Sequence, residues 1–139
     1  MLVMSGRRSE ELGIQPLARW VALGEGNDVP ARLSRVPAYA LRDASRRSGI
    51  SIDDLELVEI NEAFAAVALT VMQLEGLDPE RVNVNGGAVA IGHPIGASGA
   101  RILGTLIYEM QRQGVRYGAA AICSGTGQGE ATIVERIAA

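Results

Sequence analysis

A chain of 139 residues is one domain's worth, enough to bury roughly two-thirds of the surface its unfolded form exposes. The 47% hydrophobic and 21% charged content argues against disorder and coiled coil and suits a buried α/β layer structure. The net charge is −3 and the 13 basic residues, all arginine, are scattered, so nucleic acid and anionic membrane are poor partners.

One cysteine excludes an internal disulfide, and one histidine with one cysteine cannot build a four-ligand zinc site, so no metal is expected. No basic-then-apolar leader and no membrane-length apolar run is found, which makes a soluble, cytoplasmic protein the expectation.

Met1–Met4 reads as a short buried strand with no turn before it, as though the domain continued from upstream. Ser9–Leu12 gives a short helix closed by Gly13, and Leu17–Leu23 a strand. Gly24–Arg35 is a polar loop. Pro37 opens an amphipathic helix that ends at Gly49, and Ser51–Asp54 is a turn. Leu55–Ile60 is a strand buried on more than one side. Asn61, a good N-cap residue type, opens a helix through Leu74 closed by Gly76. Val82–Val84 is a short extended piece. Ala97–Gln113 is a helix, apolar nearly all round in its first half, and such a helix is a buried one. Ala119–Cys123 and Ala131–Ile137 are strands joined by the glycine-rich turn Ser124–Glu130. The sum is a three-layer α/β domain with parallel pairs and one antiparallel hairpin.

Three segments carry the candidate chemistry: Asn61-Glu62-Ala63-Phe64-Ala65, the run from Gly86 to Arg101 around His93, and Cys123-Ser124-Gly125-Thr126-Gly127-Gln128-Gly129. Each sits at a strand-to-helix or strand-to-strand junction, where open α/β sheets bind ligands. Singly, each has an ordinary explanation: a buried small thiol, a loop imidazole, a capping amide, a tight turn. Together they place an imidazole held between Gly92 and Pro94 near a thiol entering a turn with three glycines. That combination suits proton transfer at a carbonyl compound with stabilisation of an enolate or alkoxide. The dinucleotide fingerprint fails because Gly125–Gly129 leads into a strand, and the P-loop fails for want of a following Lys-Ser or Lys-Thr. A cysteine-protease context for Cys123 and His93 is also absent.

Taken together, N-E-A-F-A, G-G-x-x-A-x-G-H-P-x-G-A-S-G-x-R and C-x-G-x-G-x-G resemble the thiolase signature in order and spacing, over nearly the whole chain. The resemblance implies a thiolase C-terminal domain spanning 1–139. Such a domain is a βαβαβαββ half, with a mixed five-stranded sheet and helices on both faces, that packs on a similar N-terminal half. It implies catalysis on 3-ketoacyl-CoA, by reversible Claisen condensation or thiolytic cleavage, with a coenzyme A thioester as substrate and no other cofactor. By the resemblance, Cys123 is the acid/base thiol, His93 activates a nucleophilic cysteine and donates to one oxyanion hole, and Asn61 holds that hole's water. The Gly125 N–H serves a second hole, while Phe64 with Ala63 lines the acyl pocket.

The family's nucleophilic cysteine belongs to the other half, and the only cysteine here matches the acid/base position. The chain is therefore expected to be inactive alone, to need an N-terminal half in the same or another chain, and to form homo-oligomers. Thr126 stands where many members have glycine. A β-branched residue is costly at positive φ, so Thr126 is expected in an ordinary backbone region or in an altered turn. The acid/base use of Cys123 requires a lowered thiol pKa. A non-catalytic binding module is the rival reading, and a ketoacyl synthase would carry a second histidine in place of Cys123.

Overall fold

The computed structural model describes residues 1–138. In chain order it contains α1 (Gly6–Leu12), β1 (Ala18–Asn27), α2 (Val36–Ser48), β2 (Leu57–Ile60), α3 (Ala65–Glu75), α4 (Ala88–Ile91), α5 (Ser98–Gln113), β3 (Tyr117–Ser124) and β4 (Gln128–Arg136). The sheet order is β1-β4-β3-β2, parallel between β2 and β3 and antiparallel elsewhere.

Alternation along the strands separates two cores. Val58, Ile60, Ala119, Ala121, Ala131 and Ile133 face α2 and α3, whereas Leu57, Ala120 and Val134 meet α5. On α5 the buried contacts come from Ile102, Leu106 and Met110, spaced four apart on one helix face. Helices therefore cover both faces of a mixed sheet, as expected for three layers.

The sheet has four strands, not five. Met1–Met4 forms no strand: Met1, Leu2 and Val3 are 65%, 84% and 74% exposed, with no strand beside them among the described residues. Val82 pairs with Val58 only as an isolated parallel bridge beyond β2. Asn83 then completes that edge with its side chain, its Oδ1 accepting from the Ile60 N–H at 2.7 Å while its Nδ2 donates to the Ile60 carbonyl at 2.9 Å.

The stretch Gly24–Asn27, expected as loop, continues β1. Its glycines are the reason. A Cβ on Gly24 would lie 2.2 Å from the Ala40 carbonyl oxygen, and one on Gly26 would lie 2.6 Å from that of Val36. Only bare backbone lets α2 settle so close to the sheet. The segment Pro30–Arg35 is a 3₁₀ turn leading into α2. Helix ends follow the expected signals at Gly13, Gly49 and Gly76, which adopt the left-handed cap conformation, and Gly114 caps α5 in the same way.

Helix α5 is not buried all round. Tyr108 is 70% exposed, Leu103 and Ile107 are half-buried, and Glu109 is buried in a cluster with Asn85, Arg112 and Gln113. The outward apolar face has no counterpart among the described residues.

Candidate active site

Parallel pairing of β2 with β3 sets Ile60 opposite Ala121, and the Asn61 N–H extends the ladder by donating to the Ala121 carbonyl at 2.9 Å. The carboxyl ends of the two strands thus deliver Asn61 and Cys123 to one sheet edge. Asn61 is fully buried and Cys123 is 7% exposed. The side chain of Cys123 joins the core under α2 and α3 with Ala119 and Ala121. Burial pushes its thiol above the ordinary value, and a hydrogen bond with its own backbone draws it partly back. The lowered thiol expected from acid/base use is thus not met, because no cation acts on it among the described residues.

The His93 segment is tied down beside that edge. Asn83 donates to Glu62 Oε1 at 3.1 Å, and Glu62 Oε2 accepts from the Val89 N–H at 2.9 Å, which anchors the start of α4 to the end of β2. Gly92 then turns the chain at φ 92° and ψ 166°, a region closed to side chains, and delivers His93 half-buried toward Asn61.

His93 contacts both Ser98 and Asn61. Its Nδ1 lies 2.6 Å from Ser98 Oγ, which is also 3.0 Å from the Pro94 carbonyl. The Pro94 carbonyl already accepts from the Ala97 and Ser98 N–H groups at 2.8 and 2.9 Å, so the Ser98 hydroxyl can serve Nδ1 as donor or as acceptor. Asn61 Nδ2 lies nearly equidistant from the two ring nitrogens, 3.3 Å from Nε2 and 3.5 Å from Nδ1.

The other expected residues are looser. Phe64 is 66% exposed and Ala63 half-buried, so no acyl pocket closes around them within the described residues. Helix α3 begins at Ala65, and Asn61 does not cap it: the Asn61 side chain is spent on His93 and α5. Gly125 is exposed with open space where a Cβ would sit, which leaves its backbone approachable. Thr126 departs from expectation in the costly direction, at φ 69° beside Gly127 at φ 87°. The three-residue link between paired Ser124 and Gln128 requires it, and Thr126 Oγ1 donates to the Gly125 carbonyl at 2.5 Å.

Three further residues of this edge had no assigned role from sequence: Ser98, Glu59 and Arg101. Glu59 announced itself only as an acid inside the apolar run Leu55–Ile60, and it is 3% exposed.

Comparison with known proteins agrees with this architecture. The family described as thiolase, C-terminal domain, matches residues 14–136. An acetyl-CoA acetyltransferase of Thiocystis violacea is 50% identical over 137 residues, covering 99% of this chain and 35% of that protein. One from Schizosaccharomyces pombe is 42% identical over 137 residues, again 99% of this chain and 35% of its own length. The crystal structure of the Bacillus anthracis acetyl-CoA acetyltransferase superposes with a TM-score of 0.93 at 44% identity, covering 96% of this chain and 34% of that one. The chain thus spans about a third of the length of the relatives it matches. With the family match over residues 14–136 and relatives matching nearly the whole of this chain, the chain belongs to the thiolase family, as a C-terminal domain.

Proposed function

We propose that this chain supplies the second half of an acetyl-CoA acetyltransferase site, acting on short 3-ketoacyl-CoA thioesters together with an N-terminal thiolase half that carries the nucleophilic cysteine. The observation that carries this reading is the buried Asn61 beside a half-buried His93, at the sheet edge where β3 carries Cys123 next to its last residue. His93 Nε2 takes the proton of the partner half's cysteine, whose thiolate attacks the 3-keto carbonyl. The C2–C3 bond breaks with its electrons leaving on C2, and the Cys123 thiol donates its proton there to release acetyl-CoA. Coenzyme A then takes the acyl group from the nucleophile.

A thiol kept protonated by burial suits the cleavage direction as it stands. In the condensation direction, the partner half or the bound thioester must lower it. The Gly125 N–H and the Asn61 amide stabilise the oxyanions. The site works in a reducing aqueous compartment such as the cytoplasm, in an assembly of several copies.

The test is thiolysis of acetoacetyl-CoA by the purified chain, alone and mixed with the N-terminal half of the Thiocystis violacea relative. Turnover is expected only in the mixture, and Cys123→Ser lowers it by a factor of about 10²–10⁴. Turnover by the lone chain, or an inactive mixture that nonetheless forms a complex, sinks the proposal.

A further inference from the structure

Glu62 stands inside the motif Asn61–Ala65, half-buried next to Asn61, and the reaction above gives it no task. Its carboxylate nevertheless takes a donor on each oxygen from a separate stretch of chain. Oε1 accepts from Asn83 Nδ2 at 3.1 Å, and Oε2 accepts from the Val89 N–H at 2.9 Å. The Asn83 amide is oriented unambiguously, because its Oδ1 accepts from the Ile60 N–H while its Nδ2 also donates to the Ile60 carbonyl. Both groups facing Glu62 are therefore donors, and a carboxylate is an acceptor at both oxygens.

The element tied down in this way is α4, which has little of its own to hold it. A single helical turn makes too few bonds to offset the entropy of forming it. Its N-cap, Gly87, offers no side chain to the first N–H groups, and of Ala88–Ile91 only Ala88 is buried. Glu62 supplies from the end of β2 the acceptor that the N-cap lacks.

Gly87 is the seat of that carboxylate. A Cβ there would lie 2.5 Å from Glu62 Cδ and Oε2 and 2.8 Å from Oε1. The backbone at Gly87 is extended, at φ −144° and ψ −160°, so close approach and not a special conformation is what calls for glycine. His93 follows α4 directly after the Gly92 turn, and the helix that Glu62 anchors is thus the one that delivers the imidazole.

We propose that Glu62 is a positioning residue for His93: seated on Gly87, its carboxylate ties α4 to the end of β2 and so sets the imidazole beside Asn61. Its effect on turnover rests on the reading of His93 given above, but its effect on the place of the imidazole does not.

His93 is the only histidine, so its ring protons are unambiguous in NMR spectra of the full chain. In the wild type the Val89 amide is protected from hydrogen exchange, and the His93 ring protons show a nuclear Overhauser contact with the Asn61 side-chain amide. Glu62→Ala removes both bonds, lowers the Val89 protection at least about tenfold, the equivalent of one hydrogen bond to a charged group, and weakens the contact. Gly87→Ala leaves every hydrogen-bonding group in place, pushes the carboxylate off its seat and has the same two effects. Asn85→Ala loosens the same loop by removing its bond to Glu109, and it keeps the His93 contact. An unprotected Val89 amide in the wild type, a folded Glu62→Ala or Gly87→Ala with an undiminished contact, or an equal loss of contact in Asn85→Ala each overturns the proposal.

In the mixture with the N-terminal half, Gly87→Ala lowers kcat about tenfold and leaves KM within about threefold, since a misplaced imidazole costs the chemical step more than binding. An unchanged kcat beside a displaced imidazole overturns the role in turnover. An inactive wild-type mixture refutes the functional reading and leaves the imidazole result standing.

Discussion

Glu59 is a carboxyl only 3% exposed within the strand β2. Burial, the largest influence, pushes its carboxyl from 4.5 up to about 7; the Arg101 charge opposes this, while Glu62 and Glu109 add to it. Because the folded value lies above the unfolded one, the native state holds a proton that the unfolded chain releases between about pH 4.5 and 7. Stability therefore falls as pH rises through that window. Glu59→Gln removes the slope and is more stable than the wild type above pH 7, by up to about 3 kcal/mol. Urea unfolding at a series of pH values checks this, and parallel profiles for the two proteins refute it. Glu109 acts in the opposite sense and lower down. Hydrogen bonds from Arg112, then Asn85 and Gln113, hold its carboxyl at about 2, so its contribution is lost only as pH falls below 4.5.

Among the elements, the pairing of α2 with the hairpin β1–β4 carries the tightest geometry. Gly24 and Gly26 from β1 and Gly129 from β4 lie so close to α2 that a Cβ on any of them would meet helix backbone within 2.6 Å. Backbone cannot rotate out of the way as a side-chain tip can, so Gly24→Ala forces the helix off the sheet. A loss of about 3 kcal/mol is expected, read as a lower urea midpoint, and a loss under about 0.5 kcal/mol contradicts the account. The Cys123–Gly129 turn stores strain of another kind. Thr126 sits at φ 69°, where a β-branched side chain costs on the order of 1–2 kcal/mol, and the rest of the hairpin holds it there. The register from Ser124–Gln128 back to Tyr117–Glu135 is what enforces that conformation.

At the scale of the whole molecule, the face outside α5 is unfinished. Trp20, 59% exposed, and Leu23 line a groove of about 210 Å³ with Val3, Leu103 and Ile122. In the proposed assembly this apolar surface meets the N-terminal half, and burying it contributes to association at about 25 cal/mol per Å² before the costs of docking. Trp20 is the only tryptophan, so its fluorescence is a direct reporter. Emission should move to shorter wavelength when the N-terminal half binds. A complex that forms with unshifted emission places the interface elsewhere on the molecule.

What the amino-acid order determined by itself was mostly local. Glycines at 13, 49, 76 and 114 ended their helices, the apolar run before Asn61 made a buried strand, and the glycine turn after Cys123 made a hairpin. These follow from backbone preference and hydrophobic period, which neighbouring residues alone decide. The three motifs also named a family, because their joint order is specific where each alone is not.

Only the tertiary structure decided where the polar side chains went. Asn61 is a capping residue by type, yet its oxygen answers to Arg101, 40 residues away, and its nitrogen to His93, 32 away. Gly24 and Gly26 signal a loop until α2 is laid across them. Met1–Met4 has the pattern of a buried strand, but no strand lies beside it among the described residues. In each case the deciding contact comes from a distant part of the chain, and a local pattern holds no record of what will be packed against it.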